Sequence, residues 1–129
     1  MATIDGYIPD AGLTVMAKQL GGVDSVAAFT YIAVGSGSTA NATSTTSLAT
    51  EIADSGFARV QVTPTVTGDV CSWATTFTAT AAATVREIGL FNASSEGTLG
   101  LRGVLPADKV FGDTDTYEVT IEIDTARTA

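Results

Sequence analysis

Tyr117-Glu118-Val119-Thr120-Ile121-Glu122-Ile123-Asp124 decides the fold class. Tyr117, Val119, Ile121 and Ile123 alternate with Glu118, Thr120, Glu122 and Asp124. A period of two is the signature of a strand, because successive side chains point to opposite faces. One apolar and one wet face are what an antiparallel sheet needs. Working backwards, residues 99–105 read as a strand ended by Pro106, and residues 84–91 as another, followed by a turn over residues 92–97. Cys71, Trp73, Thr75, Phe77 and Ala79 share one face of a long strand. Residues 57–63 alternate as well, until Pro64 interrupts, and Thr67-Gly68-Asp69 reads as a turn, so these two runs are expected to form a hairpin. Residues 29–34 are a buried-strand run that ends at Gly35-Ser36-Gly37.

Towards the N-terminus the period changes. Leu13, Met16, Ala17 and Leu20 lie at helical spacing behind Asp10, a good N-cap, and Gly21-Gly22 stop the run, so one short helix is expected at residues 11–20. Residues 1–9 form an extended arm and residues 10–129 a single β-rich domain. Residues 36–47 are polar and of low complexity, which places them on a surface. Ser47 to Ile52 has the makings of one helical turn. The expected fold is mainly β: a small antiparallel β-sandwich or distorted barrel of six or seven strands, with one short N-terminal helix.

The composition excludes several kinds of chemistry. The chain has 129 residues, 6 basic and 14 acidic, no histidine and one cysteine. A net charge of −8 repels phosphate, which argues against nucleic acid as a ligand. Without histidine there is no Ser-His-Asp or Cys-His catalysis and no His-ligated metal. One cysteine makes no internal disulfide. The first residues lack a basic stretch followed by an apolar one, and no apolar run reaches the length of a membrane helix. Folding in a reducing cytoplasm, without secretion or membrane insertion, is the expectation, and both chain ends are expected to be held by the domain or by neighbours.

The chemistry-bearing residue types have plainer readings. Glu118, Glu122 and Asp124 share one strand face but spread over about 13–20 Å, too far for a catalytic pair. Asp113-Thr114-Asp115 after Gly112 resembles part of a calcium loop without its remaining ligands, so a turn is expected there. Gly35-Ser36-Gly37 follows a strand as a phosphate loop would, yet no Gly-Lys-Ser/Thr completes it. Asn41-Ala42-Thr43 and Asn92-Ala93-Ser94 match a glycosylation pattern by chance. Cys71 and Trp73 sit among apolar residues of one face, as core residues do, although Trp73 or Tyr31 on an open face would suit a sugar. No catalytic residue, metal or cofactor is expected.

What stands out is the 22 threonines and 20 alanines, about a third of the chain, where charged residues make up only 16%. Threonine suits exposed sheet, alanine allows close approach, and sheet edges with few charges are poorly protected against pairing. A component that packs against other subunits needs no such protection.

Two stretches carry a resemblance. Tyr31-Ile32-Ala33-Val34-Gly35-Ser36-Gly37 and Thr84-Val85-Arg86-Glu87-Ile88-Gly89-Leu90-Phe91-Asn92 resemble a module of tailed-phage virion proteins, in which a hydrophobic strand and Gly-x-Gly precede Val-Arg-Glu-Ile-Gly-Leu-Phe. That module is known from the virion-attaching part of tail fibres and from short separate phage proteins. Gly6 to Leu13 and the Gly112-Asp113 pair before the last strand are similar too. Fibre versions usually carry Asp where Asn92 stands, and a fibre continues into a shaft, which this sequence does not. The resemblance therefore implies a virion structural protein that is not an enzyme. A capsid decoration protein, trimeric in that setting, would bind its own copies and the major capsid protein. The alternatives are a tail or baseplate adaptor and a glycan-binding β module. Ile4, Tyr7, Ile8, Arg86, Glu87 and Phe111 are the candidate assembly contacts, with the arm and the 36–47 loop as contact elements. Gly89 inside a strand calls for a bulge or a close backbone approach.

Overall fold

The alternating run near the C-terminus forms a strand that pairs residue for residue with the Cys71–Phe77 run, nine antiparallel pairs without a break. The computed structural model describes residues 6–125; Ile4 and the expected holding of both chain ends lie outside them. The elements in order are β1 (Gly6–Tyr7), α1 (Asp10–Gly21), β2 (Tyr31–Gly35), β3 (Val60–Gln61), β4 (Thr65–Thr67), β5 (Val70–Thr78), β6 (Ala83–Phe91), β7 (Leu99–Phe111) and β8 (Thr116–Asp124). They make two sheets, β1-β7-β6-β2-β3 and β4-β5-β8, with every pairing antiparallel. Two open sheets face to face are a β-sandwich and not a closed barrel.

Periodicity explains the layers. Ile32, Val34, Ile88 and Leu90 are buried on one face of the five-stranded sheet, and Trp73, Phe77, Val119 and Ile121 answer from the three-stranded sheet. Phe57 fills the middle, fully buried, with its ring centroid 5.6 Å from Phe77 and 5.3 Å from Phe111. Trp73 Nε1 donates to the Phe29 carbonyl at 2.7 Å, so its one polar group is satisfied inside the core. The other face of the five-stranded sheet is buried too. Ala33, Phe91 and Leu99 lie there under Leu48. The sheet is thus covered on both sides, whereas among the described residues nothing covers the outer face of β4-β5-β8.

Several local readings are corrected. Asp10 is the first residue of α1 and not its cap: Pro9 occupies the N-cap without a side-chain bond, and Asp10 contributes its charge in the first turn. Gly22 ends the helix in the left-handed conformation (φ 65°), with Val23 N–H bonding back to the Lys18 carbonyl at 3.0 Å. Residues 57–63 do not form a hairpin with β5. Val60 and Gln61 pair with β2 in the other sheet, and only Thr65–Thr67 turns back onto Val70–Ser72. Pro64 separates the two, because it has no N–H for a ladder. Residues 47–52 are not helical: Ser36 N–H donates to the Thr50 carbonyl and Ile52 N–H to the Val34 carbonyl, which lays the segment along β2.

Pro106 does not end β7, which runs on to Phe111. Val85 pairs with Lys109 and Glu87 with Val104, so Arg86 alone spans the residues 105–108 of a bulge. Pro106 sits in that bulge, where no ladder N–H is required. Arg86 staples it: Nε donates to the Leu105 carbonyl at 2.7 Å and Nη1 to Asp108 Oδ1 at 3.1 Å. Bulges flank Gly89 in β6, and Gly89 itself answers to close approach, since a Cβ there would lie 2.8 Å from Leu48 Cδ2. Phe57→Ala empties the centre of the core and is expected to cost about 3–5 kcal/mol, read from the urea unfolding midpoint.

Candidate functional site

The concentration of polar groups in the interior lies on the outer face of the five-stranded sheet. Ala33, Gly35 and Gly89 come side by side there through the register of β2 with β6, Ala33 opposite Gly89 and Gly35 opposite Glu87. These small residues leave a trough into which larger groups sink. Gly35 and Gly37 are required by it: a Cβ on Gly35 would fall 2.5 Å from Glu87 Oε2, and one on Gly37 2.7 Å from the same atom. This gives the Gly-x-Gly pair its physical reason, which is a carboxylate and not a phosphate.

Glu87 is completely buried. Its Oε2 accepts from Gly37 N–H at 2.9 Å and Thr50 N–H at 2.8 Å, and its Oε1 from Ala49 N–H at 2.8 Å and Arg102 Nε at 2.9 Å. Arg102, 1% exposed, donates Nη1 to the Thr39 carbonyl at 2.7 Å and to Asn41 Oδ1 at 2.8 Å. Its Nη2 lies 2.8 Å from Glu87 Oε1 but is poorly aligned for a hydrogen bond, so the attraction there is Coulombic and the directed bond belongs to Nε. The pair therefore pins both limbs of the polar loop: residues 37–41 on one side and 49–50 on the other.

This arrangement suits a lock. A carboxylate offers about four lone-pair sites, and four directed donors occupy them. None is left to take a proton from a substrate, and the pair is buried from solvent. A second staple resembles it. Arg59 forms a two-pronged ion pair with Glu51 (2.7 and 2.9 Å), donates to the carbonyls of Ala93 and Glu96, and stacks 3.6 Å over the Phe91 ring.

The candidate assembly contacts divide. Glu87 and Phe111 are buried within the chain and present nothing to another subunit, because the lock and the aromatic core consume them. Arg86 is half-buried on its bulge. Tyr7 and Ile8 are half-buried, and Gly6 and Tyr7 pair with Gly103 and Arg102, so this part of the arm is docked on β7. Arg102 escaped sequence reasoning. Its signal was a lone cation in an apolar strand, a position that demands a partner.

The remaining candidates behave as structure. Asp115 Oδ2 accepts from Gly112 N–H at 2.7 Å, which closes a turn, and no group of three or more potential metal ligands occurs among the described residues. Cys71 is half-buried, and desolvation pushes its thiol up. Tyr117 is raised by burial in the same way. Among the described residues no helix is long and apolar enough to cross a membrane. No protein-family model and no curated protein matches the chain.

Glu87→Gln leaves the Arg102 charge buried without a counter-ion and is expected to cost about 3–5 kcal/mol, measured by urea denaturation. Glu87→Gln combined with Arg102→Met should cost less than the sum of the two single changes, because the pair is coupled. The raised Cys71 thiol should be alkylated by iodoacetamide at pH 8 more slowly than a free cysteine, because less of it is thiolate at that pH; the rate difference closes on unfolding in urea.

Proposed function

We propose that this chain is a structural protein of a tailed-phage virion, without enzymatic activity, and that it decorates the assembled capsid as a trimer. The observation that carries the reading is the outer face of the three-stranded sheet, which no described residue covers. Thr65, Thr67, Ser72, Ala74, Thr76 and Thr120 lie on it through the register of β4, β5 and β8. Glu118 and Glu122 stand on the same face along its β8 margin, so the short side chains of β4 and β5 make the flat part, on which another subunit can settle closely at little cost in side-chain entropy. The two stretches that resemble the virion module also turn out to be one structural unit, since β2 pairs with β6 and Gly37 bonds to Glu87.

The mechanism is mass action. A protein that binds the assembled lattice and not its free subunits stabilises the lattice. Copies at a symmetry axis of the shell would bury area across the seams between capsid subunits. The partners are further copies of the chain and the major capsid protein, and its place is the virion surface. Of the two aromatic residues of the glycan reading, Trp73 is buried with its N–H used, and Tyr31 is half-buried at the start of β2.

The test is addition of the purified protein to capsids that lack it. Ala74→Lys with Thr76→Lys, both exposed positions, should leave thermal unfolding almost unchanged and sharply reduce capsid occupancy in co-sedimentation. Unchanged occupancy would remove the bare face from the mechanism. A copy number in purified virions far below that of the capsid subunits would favour a tail or baseplate adaptor instead.

A further inference from the structure

We infer that the open edge of β8 is a docking site for an added strand in which apolar residues alternate with lysine or arginine. The edge follows from the hydrogen-bond phase of the β5–β8 ladder. Ala79 N–H donates to the Asp115 carbonyl and Thr125 N–H to the Asp69 carbonyl, which continues the ladder at both ends. Hydrogen-bonded pairs recur every second residue in an antiparallel ladder. The odd-numbered residues of β8 therefore bond to β5, and Thr116, Glu118, Thr120 and Glu122 turn their N–H and C=O groups outward. Among the described residues no other backbone bond reaches them, and β8 is the last strand of its sheet. Nine residues at strand rise give an edge of about 30 Å, regular throughout.

The charges on this edge select the occupant. Glu118 and Glu122 are exposed, point to the outer face and have no ion pair among the described residues. On the inner face Val119 and Ile121 are buried while Tyr117 and Ile123 are half-covered, so the apolar layer stops unfinished at the edge. Lys109 approaches the Tyr117 ring at 5.7 Å, away from the two glutamates' face. An added strand would continue the apolar layer with every second residue. Between these it would set cations opposite Glu118 and Glu122, four positions apart.

A second copy of β8 fits badly. Full antiparallel overlap puts Thr120 against Thr120 and Glu118 against Glu122 twice, and like charges directly opposite are destabilising. Slid registers still gather the four glutamates of the two copies on one face. The edge is closed to self-pairing by charge and open to a basic strand, the mode of recognition in which main-chain bonds supply affinity and side chains supply choice. This goes beyond the virion reading, because the edge and its charges are the same in whatever assembly the chain joins.

The probe is the peptide acetyl-Thr-Lys-Val-Thr-Val-Lys-Val-amide, with a control in which glutamate replaces both lysines. Fluorescence anisotropy should show the lysine peptide binding about tenfold tighter or more, an advantage that shrinks as salt is raised. Glu118→Gln with Glu122→Gln should abolish the preference. Thr120→Pro should abolish binding, since it removes an outward N–H and leaves the inward ladder in place. Amide exchange gives a second readout: Glu118, Thr120 and Glu122 should slow on binding, while Val119 and Ile121, bonded to β5, should be slow with or without peptide. Equal binding of the two peptides would overturn the proposal, as would unchanged exchange at the three outward amides. Concentration-dependent protection of those amides without peptide would make a second copy the occupant and also overturn it.

Discussion

A carboxylate enclosed by three peptide N–H groups and one guanidinium is the constraint on which the outer layer of this molecule depends. Glu87 and Arg102 face each other across β6 and β7, but most of their bonds go to the loop above. A loop of threonine, serine and alanine has no hydrophobic reason to stay where it is. It is held because its amides satisfy a buried charge that would otherwise be costly, and the charge is tolerable because the amides are there. Glycine at 35 and 37 is the geometric condition for this exchange.

The same economy governs the other cations. Arg59, Arg86 and Arg102 are three of the six basic residues, and each holds a loop or bulge from beneath by donating to main-chain carbonyls. Guanidinium suits this work because its donors form a fixed fork that reaches several acceptors at once. The consequence is uneven charge. With half of its cations turned to internal duty, the surface is left to the carboxylates, and the outer edge of the three-stranded sheet shows them most openly.

Much of this was legible in the sequence, and the divide follows the range of the interaction. The β5, β6 and β8 strands, the single helix and the sandwich could be read because period and punctuation are local signals. The errors occurred where a distant partner decided. Residues 57–63 alternate as a hairpin strand would, but Phe57 is drawn into the core and Val60 and Gln61 are taken by β2. Pro106 is a strand terminator by rule, yet here a bulge held by Arg86 absorbs it. At the buried pair, Glu87 was singled out as an assembly contact and is found inside the chain, and Arg102 passed unnoticed. The partners of Glu87 and Arg102 lie 15 to 63 positions away, beyond any window of periodicity.

The order of strands also bears on how the chain is made. In the three-stranded sheet, β5 waits for β8, with β6 and β7 intervening. Trp73 and Phe77 emerge from the ribosome well before Val119 and Ile121, which complete the same inner face beside them. During synthesis the larger sheet can assemble while β8 is still missing from the smaller one, and a growing polypeptide carries β5 with its edge unpaired until residue 124 has been released into solution.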